Sequence, residues 1–150
     1  MATHASRRTD KTGKYFEYFI EYLLSKKGYN VDEQVTIGLR PTGGNHNVDL
    51  VVSDWDGTEE QELVSLKYQD VAGTAEEKIP YEIMCLQDAV NSGRYVSALI
   101  VLAGKGWQHA DSYINGAFNK FMNCPDVQVI DYDTFVERYQ LRPCQLHYKH

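Results

Sequence analysis

A mixed β-sheet with helices on both faces is the α/β architecture this sequence predicts, and three stretches predict it. YVSALIVLAG, residues 95–104, is apolar almost throughout, as a strand covered on both sides must be. VDLVVS and QELVSLKYQ, residues 48–53 and 61–69, are strand-like runs joined through DWDGTEE, whose Asp-Gly pair signals an antiparallel hairpin. GKYFEYFIEYLLSKKG places Phe16, Phe19, Ile20, Leu23 and Leu24 at the i, i+3, i+4 spacing of an amphipathic helix.

Taken in order, the first helix covers residues 13–27 and stops at Lys-Lys-Gly, a favourable C-terminus for the helix dipole. NVDEQVTIG is a β-rich strand, followed by a Gly/Pro/Asn loop, LRPTGGNHN, before the hairpin pair. In DVAGTAEEKIPYEIMCLQDAVNSG, Ile79, Ile83, Leu86 and Val90 form a helical stripe. Its start is open between a capping box at Thr74 and Glu77 and a first turn at Pro80. After the apolar strand, GWQHADSYINGAFNKFMN reads as a helix weakened by Gly116, DVQVIDY as a strand and DTFVERYQ as a helix opened by Asp133. LRPCQLHYKH is an irregular tail. Trp107 reads as core or interface.

The length of 150 residues suits a single domain spanning 1–150, with a core at about 13–103 and a helix–strand–helix extension at 104–150. No apolar run approaches the roughly 20 residues that span a bilayer, and MATHASRRTDK lacks the apolar segment of a signal peptide. A soluble, cytoplasmic protein without a membrane partner is expected. Cys85, Cys124 and Cys144 have neither zinc spacing nor an even number for disulfides, so they are expected to be reduced structural thiols. The net charge of −6 disfavours a polyanion partner overall. Local basic groups, including Lys11 and Lys14 in the N-terminal arm, run against that balance.

Lys67 is the anomaly. An ammonium in an otherwise apolar strand is costly without a partner. Strand alternation puts Ser65, Lys67 and Gln69 on one face, and Asp49, Val51 and Ser53 on one face of the neighbouring strand, so a carboxylate can lie beside the lysine. Glu62 falls on the opposite face with Val64. Glu17 and Glu21 lie one turn apart at the border of the first helix's apolar stripe. Two or three carboxylates with a lysine make a site for a hard cation that activates water against a phosphodiester.

Helix with Glu17, strand meander with Asp49 and then Ser65-x-Lys67, followed by helix and strand, resembles the PD-(D/E)xK nuclease superfamily, whose restriction-endonuclease-like core has the order αβββαβ. SLKYQDVAGTAEEKIPYE is similar to nuclease domains of type II restriction enzymes. Val48 stands where the motif has proline, and Ser65 where it has Asp or Glu. Some restriction enzymes with Ser-x-Lys take the missing acid from the next helix, which points to Glu82 first, then Glu77, then Glu76.

The resemblance implies a Mg2+-dependent DNA endonuclease of restriction or homing type, with Mn2+ as a substitute metal. It assigns Glu17, Asp49, Glu82 and the Leu66 carbonyl to the metal, Lys67 to the attacking water, and Ser65 and Gln69 to supporting places. Lys78, Arg40, His46, Lys14 and Lys11 are the expected DNA contacts, and a homodimer or homotetramer is expected for cutting both strands. A junction resolvase, a repair nuclease, a non-catalytic DNA-binding module with a decayed site and an acidic small-molecule hydrolase are the alternatives.

Overall fold

The computed structural model describes residues 3–54 and 60–141, with side chains from residue 12 onward. Cys144 and the tail beyond residue 141 lie outside the described residues, as does most of DWDGTEE. Helix α1 (Thr3–Lys27) leads into strands β1 (Asn30–Leu39), β2 (Asn45–Ser53) and β3 (Gln61–Tyr68). A 3-10 turn (Thr74–Lys78), helix α2 (Ile79–Asn91), strand β4 (Ser97–Ala103), helix α3 (Ala110–Ile114), strand β5 (Val127–Asp131) and helix α4 (Tyr132–Arg138) complete the order. The sheet order is β1-β2-β3-β4-β5, antiparallel for the first three strands and parallel from β3 to β5. This is the mixed sheet the sequence predicts.

Two cores flank the sheet. Ile20 and Leu24 of α1 and Phe135 and Val136 of α4 pack on Leu50, Val52, Val64, Leu99 and Val101. Ile79, Ile83, Leu86 and Val90 of α2 pack on the other side against Val48, Val51, Leu63, Ile100 and Leu102. β4 supplies both cores, which is why its sequence is apolar without alternation.

β1 and β2 depart from simple alternation at one level. In β2, Leu50 and Val52 belong to the α1 side, yet Val48 lies on the α2 side with Val51. In β1, Val31 packs on the α1 side while Val35 and Ile37 pack on the α2 side. The strand register runs through Glu33↔Leu50 and Val35↔Val48, so both strands exchange faces at Gln34 and Asp49. Gln34 has φ +50, a left-handed backbone uncommon for a residue with a side chain. The expectation that Asp49 simply shares a face with Val51 is corrected accordingly.

Other boundaries also differ from the sequence expectation. The β1–β2 loop covers only residues 40–44 and closes through Arg40 N–H to Gly44 O (2.7 Å) and Gly43 N–H to Arg40 O (2.8 Å), so β2 begins at Asn45 and contains His46. Pro80 lies in the first turn of α2, and Thr74 opens the 3-10 turn after Gly73, which makes no side-chain cap. The helix expected through residue 123 ends at Ile114, because Gly116 adopts φ +77 and breaks it. Asp131, rather than Asp133, caps α4 by accepting the Thr134 N–H at 2.7 Å.

Candidate active site

The strand exchange places Asp49 where β2 and β3 part. Their pairing runs from Ser53↔Gln61 to Leu50↔Val64 and goes no further. One residue on, an Asp49 carboxylate oxygen accepts the Leu66 N–H at 2.7 Å, standing in for a missing strand partner. The same carboxylate accepts from the Gln34 side-chain amide at 3.3 Å. That amide also donates to both oxygens of Glu17, at 2.8 and 3.0 Å. Glu17, only 5% exposed on α1, is thus brought to the same point as Asp49 from across the sheet.

Burial pushes the Asp49 carboxyl above the usual carboxylate range, against the pull of the Leu66 N–H, the Lys67 charge and the Gln34 amide. Burial likewise raises Glu17, opposed by the Gln34 hydrogen bond and reinforced by the charge of Asp49. A buried and a partly buried acid sharing one neutral donor form an electrostatically unfavourable pair that a cation relieves.

Lys67 also acts on Asp49. Its ammonium is 3.9 Å from the Glu82 carboxylate in the first turn of α2, and both charges act on Asp49. Ser65, 2% exposed, has the same strand parity as Lys67. Of the three glutamates weighed as the missing acid, Glu82 is the one paired with Lys67. Glu76 has another use: its buried carboxylate accepts the backbone N–H groups of Gln108 (2.8 Å) and His109 (2.9 Å). Glu77 is exposed.

The remaining expected residues separate. Gln69 donates its amide to Gly106 O at 3.0 Å, so it fastens the loop after β4. His46 is 1% exposed with its Nε2 unpartnered, and burial pushes its imidazole below the ordinary range; a surface DNA contact through it is corrected. Arg40 is half-buried, donating to Asn45 O at 3.2 Å with its Nε enclosed. Lys14 and Lys78 are exposed, and the side chain of Lys11 lies outside the described residues. Trp107 is partly buried against the core of the α2 side, donating to Ala103 O at 2.8 Å. Glu62 serves the opposite end of the sheet, where Tyr139, Arg138 and Ser97 hydrogen-bond to its carboxylate. An open cleft of about 600 Å³ at that end is lined by none of the expected catalytic residues.

Among the described residues no three His, Cys, Asp or Glu side chains are gathered closely enough to enclose a metal ion. The donor set at Asp49 and Glu17 nevertheless fits a hydrated hard cation, because Mg2+ is commonly held by one or two carboxylates and keeps waters or substrate oxygens elsewhere. Glu82 stands 3.9 Å from the Lys67 ammonium, and its charge also acts on Asp49.

A profile of the PD-(D/E)XK nuclease superfamily domain matches residues 8–140. The chain belongs to the PD-(D/E)XK nuclease superfamily. No curated protein sequence matches it. Among solved structures, it is similar to the small subunit R.BspD6I2 of the heterodimeric restriction endonuclease R.BspD6I, at 19% identity and TM-score 0.48, over 84% of this chain and 67% of that one. It is also similar to the protein of unknown function AF1548, at 10% identity and TM-score 0.48, over 79% of this chain. The match spans 58% of AF1548. In this superfamily member, Gln34 is the residue the sequence reading missed. A glutamine in a strand carries no motif signal, and only the left-handed turn of its backbone brings it to the acids.

Proposed function

We propose that this PD-(D/E)XK nuclease is a Mg2+-dependent endodeoxyribonuclease, with Asp49 and Glu17 as the metal-binding acids and Lys67 as the cation beside the attacked phosphate. The observation that carries this reading is the meeting of Asp49, Glu17 and the Lys67–Glu82 pair where β2 and β3 separate. A divalent metal bound there supplies Lewis-acid polarisation of a phosphoryl oxygen and a more acidic water. Asp49 and Glu17 would hold it, and the Leu66 carbonyl would be a further ligand. Lys67 offsets the charge that develops on the phosphate, and Glu82 orients the ammonium and can take up the proton of the attacking water. Ser65, too weak a ligand to replace a carboxylate, leaves Glu82 as the third acid.

Lys14 and Lys78 are proposed to position the DNA backbone, which fixes register without reading sequence. Two sites are needed to cut both strands of a duplex, so a homodimer or homotetramer is the working assembly. Residues 1–150 act as one nuclease domain, with residues 104–150 extending the core. The Ser65 substitution favours one second reading, a DNA-binding module without catalysis.

The test incubates duplex, branched and single-stranded DNA with Mg2+ or Mn2+ and repeats it with EDTA. Metal-dependent cleavage is expected, and the preferred DNA form separates restriction or homing activity from junction resolution or repair. Lys67→Ala is expected to lose about 100-fold or more in cleavage rate while retaining DNA binding. Unchanged cleavage in that variant sinks the proposal, and DNA binding without cleavage in the wild type favours the second reading.

A further inference from the structure

Building on the metal-nuclease reading, we propose that Gln34 is a positioning residue of the site, its side-chain amide gathering Glu17 and Asp49 onto one point and its left-handed backbone existing to deliver that amide.

Three observations support it. One nitrogen reaches three carboxylate oxygens on two elements, at 2.8 and 3.0 Å on Glu17 and 3.3 Å on Asp49. The contacts join α1 to β1 and β2 through one side chain. The backbone at Gln34 has φ +50, and the sheet exchanges faces at the same residue. Non-glycine residues in such conformations persist where surrounding structure holds them, and they concentrate at functional sites. A purely structural bulge would be served at least as well by glycine, which adopts positive φ without a steric cost. A glutamine here retains the cost and keeps the amide.

The amide does for the two acids part of what a cation does: it places a positive dipole end between two oxygens that otherwise repel. Groups that orient metal ligands in this way typically contribute about tenfold or more to metal affinity.

The experiment compares wild type, Gln34→Gly and Gln34→Asn by calorimetric Mn2+ titration without DNA, together with thermal melting and cleavage kinetics. Gln34→Gly relieves the backbone and deletes the amide. It is expected to melt at or above the wild-type temperature, to bind Mn2+ about tenfold more weakly, and to lose kcat with little change in KM for DNA. Gln34→Asn keeps an amide and tolerates positive φ but is one methylene shorter, and it is expected to fall between the two. Wild-type Mn2+ affinity and kcat in Gln34→Gly overturn the proposal, and so does a melting loss in that variant accompanied by full Mn2+ binding in Gln34→Asn. If wild type and Asp49→Asn bind Mn2+ equally, the metal site itself is overturned and the proposal falls with it, a result distinct from either of the others.

Discussion

Asp49 is a residue under two opposed demands. Burial, with the charge of Glu82, raises its carboxyl above the ordinary range, whereas metal binding needs it ionised. Because the folded chain holds that proton to a higher pH than the unfolded chain does, the native state binds more protons in the window just above the ordinary carboxylate range. Stability from this group therefore falls as pH rises through that window, and the full cost of the ionised pair is present at neutral pH. Asp49→Asn removes the charge and can still accept the Leu66 N–H. It is expected to melt a few degrees higher than wild type in metal-free buffer at neutral pH, to lose that advantage in mild acid, and to bind no Mn2+. Thermal melts at both pH values check this, and a lower melting temperature at neutral pH contradicts it. His46 works in the opposite direction: buried and held neutral, it costs stability as pH drops below the ordinary imidazole range.

The elements show where the sequence was legible. α1, β3, α2 and β4 follow from apolar periodicity, because each buries a continuous stripe or both faces. Strand parity and the motif single out Lys67 and Asp49, and the need for a further acid singles out Glu82, but parity does not give Asp49 its place, which lies where the faces exchange. The face exchange in β1 and β2 was not legible, since alternation assumes a regular ladder and Gln34 breaks it through a backbone torsion that its type does not announce. His46 was misplaced for a related reason: GGNHN reads as turn-forming, but the turn finishes at Gly44. Glu76 looked like a candidate acid because sequence cannot show that two backbone N–H groups already occupy it.

The loop after β4 belongs to the same scale. Gly104 has φ +86, and a Cβ there would lie 2.3 Å from the Gln69 carbonyl oxygen; at Gly106 it would lie 2.5 Å from backbone atoms of Val71. The loop is thus pressed against the chain leaving β3, next to the Gln69 amide that fastens it. Gly104→Ala is expected to cost about 2 kcal/mol or more in urea unfolding and to reduce cleavage by displacing the end of β3.

Considered as a whole, the molecule carries a net charge of −6 and yet is proposed to act on a polyanion. Its long-range field repels DNA, so binding depends on local cations and on whatever neutralises the acids at the site. Ca2+, a hard cation that takes oxygen ligands, is expected to raise DNA affinity over EDTA by about tenfold in fluorescence anisotropy at low salt, with the gain absent in Asp49→Asn. Equal affinity with and without Ca2+ would contradict this coupling. Among the described residues no helix is long and apolar enough to cross a membrane.

The exchange of faces at Gln34 and Asp49 also bears on transplanting this chemistry. A flat, regular hairpin carrying the same amino acids would commit position 49 to one side or the other, and its oxygens would meet either the first helix or the lysine. Here the ribbon turns over halfway along, and the acid is left on the seam with access to both. A protein engineer copying the site would have to copy that seam, and the torsion that makes it, before copying any of the acids.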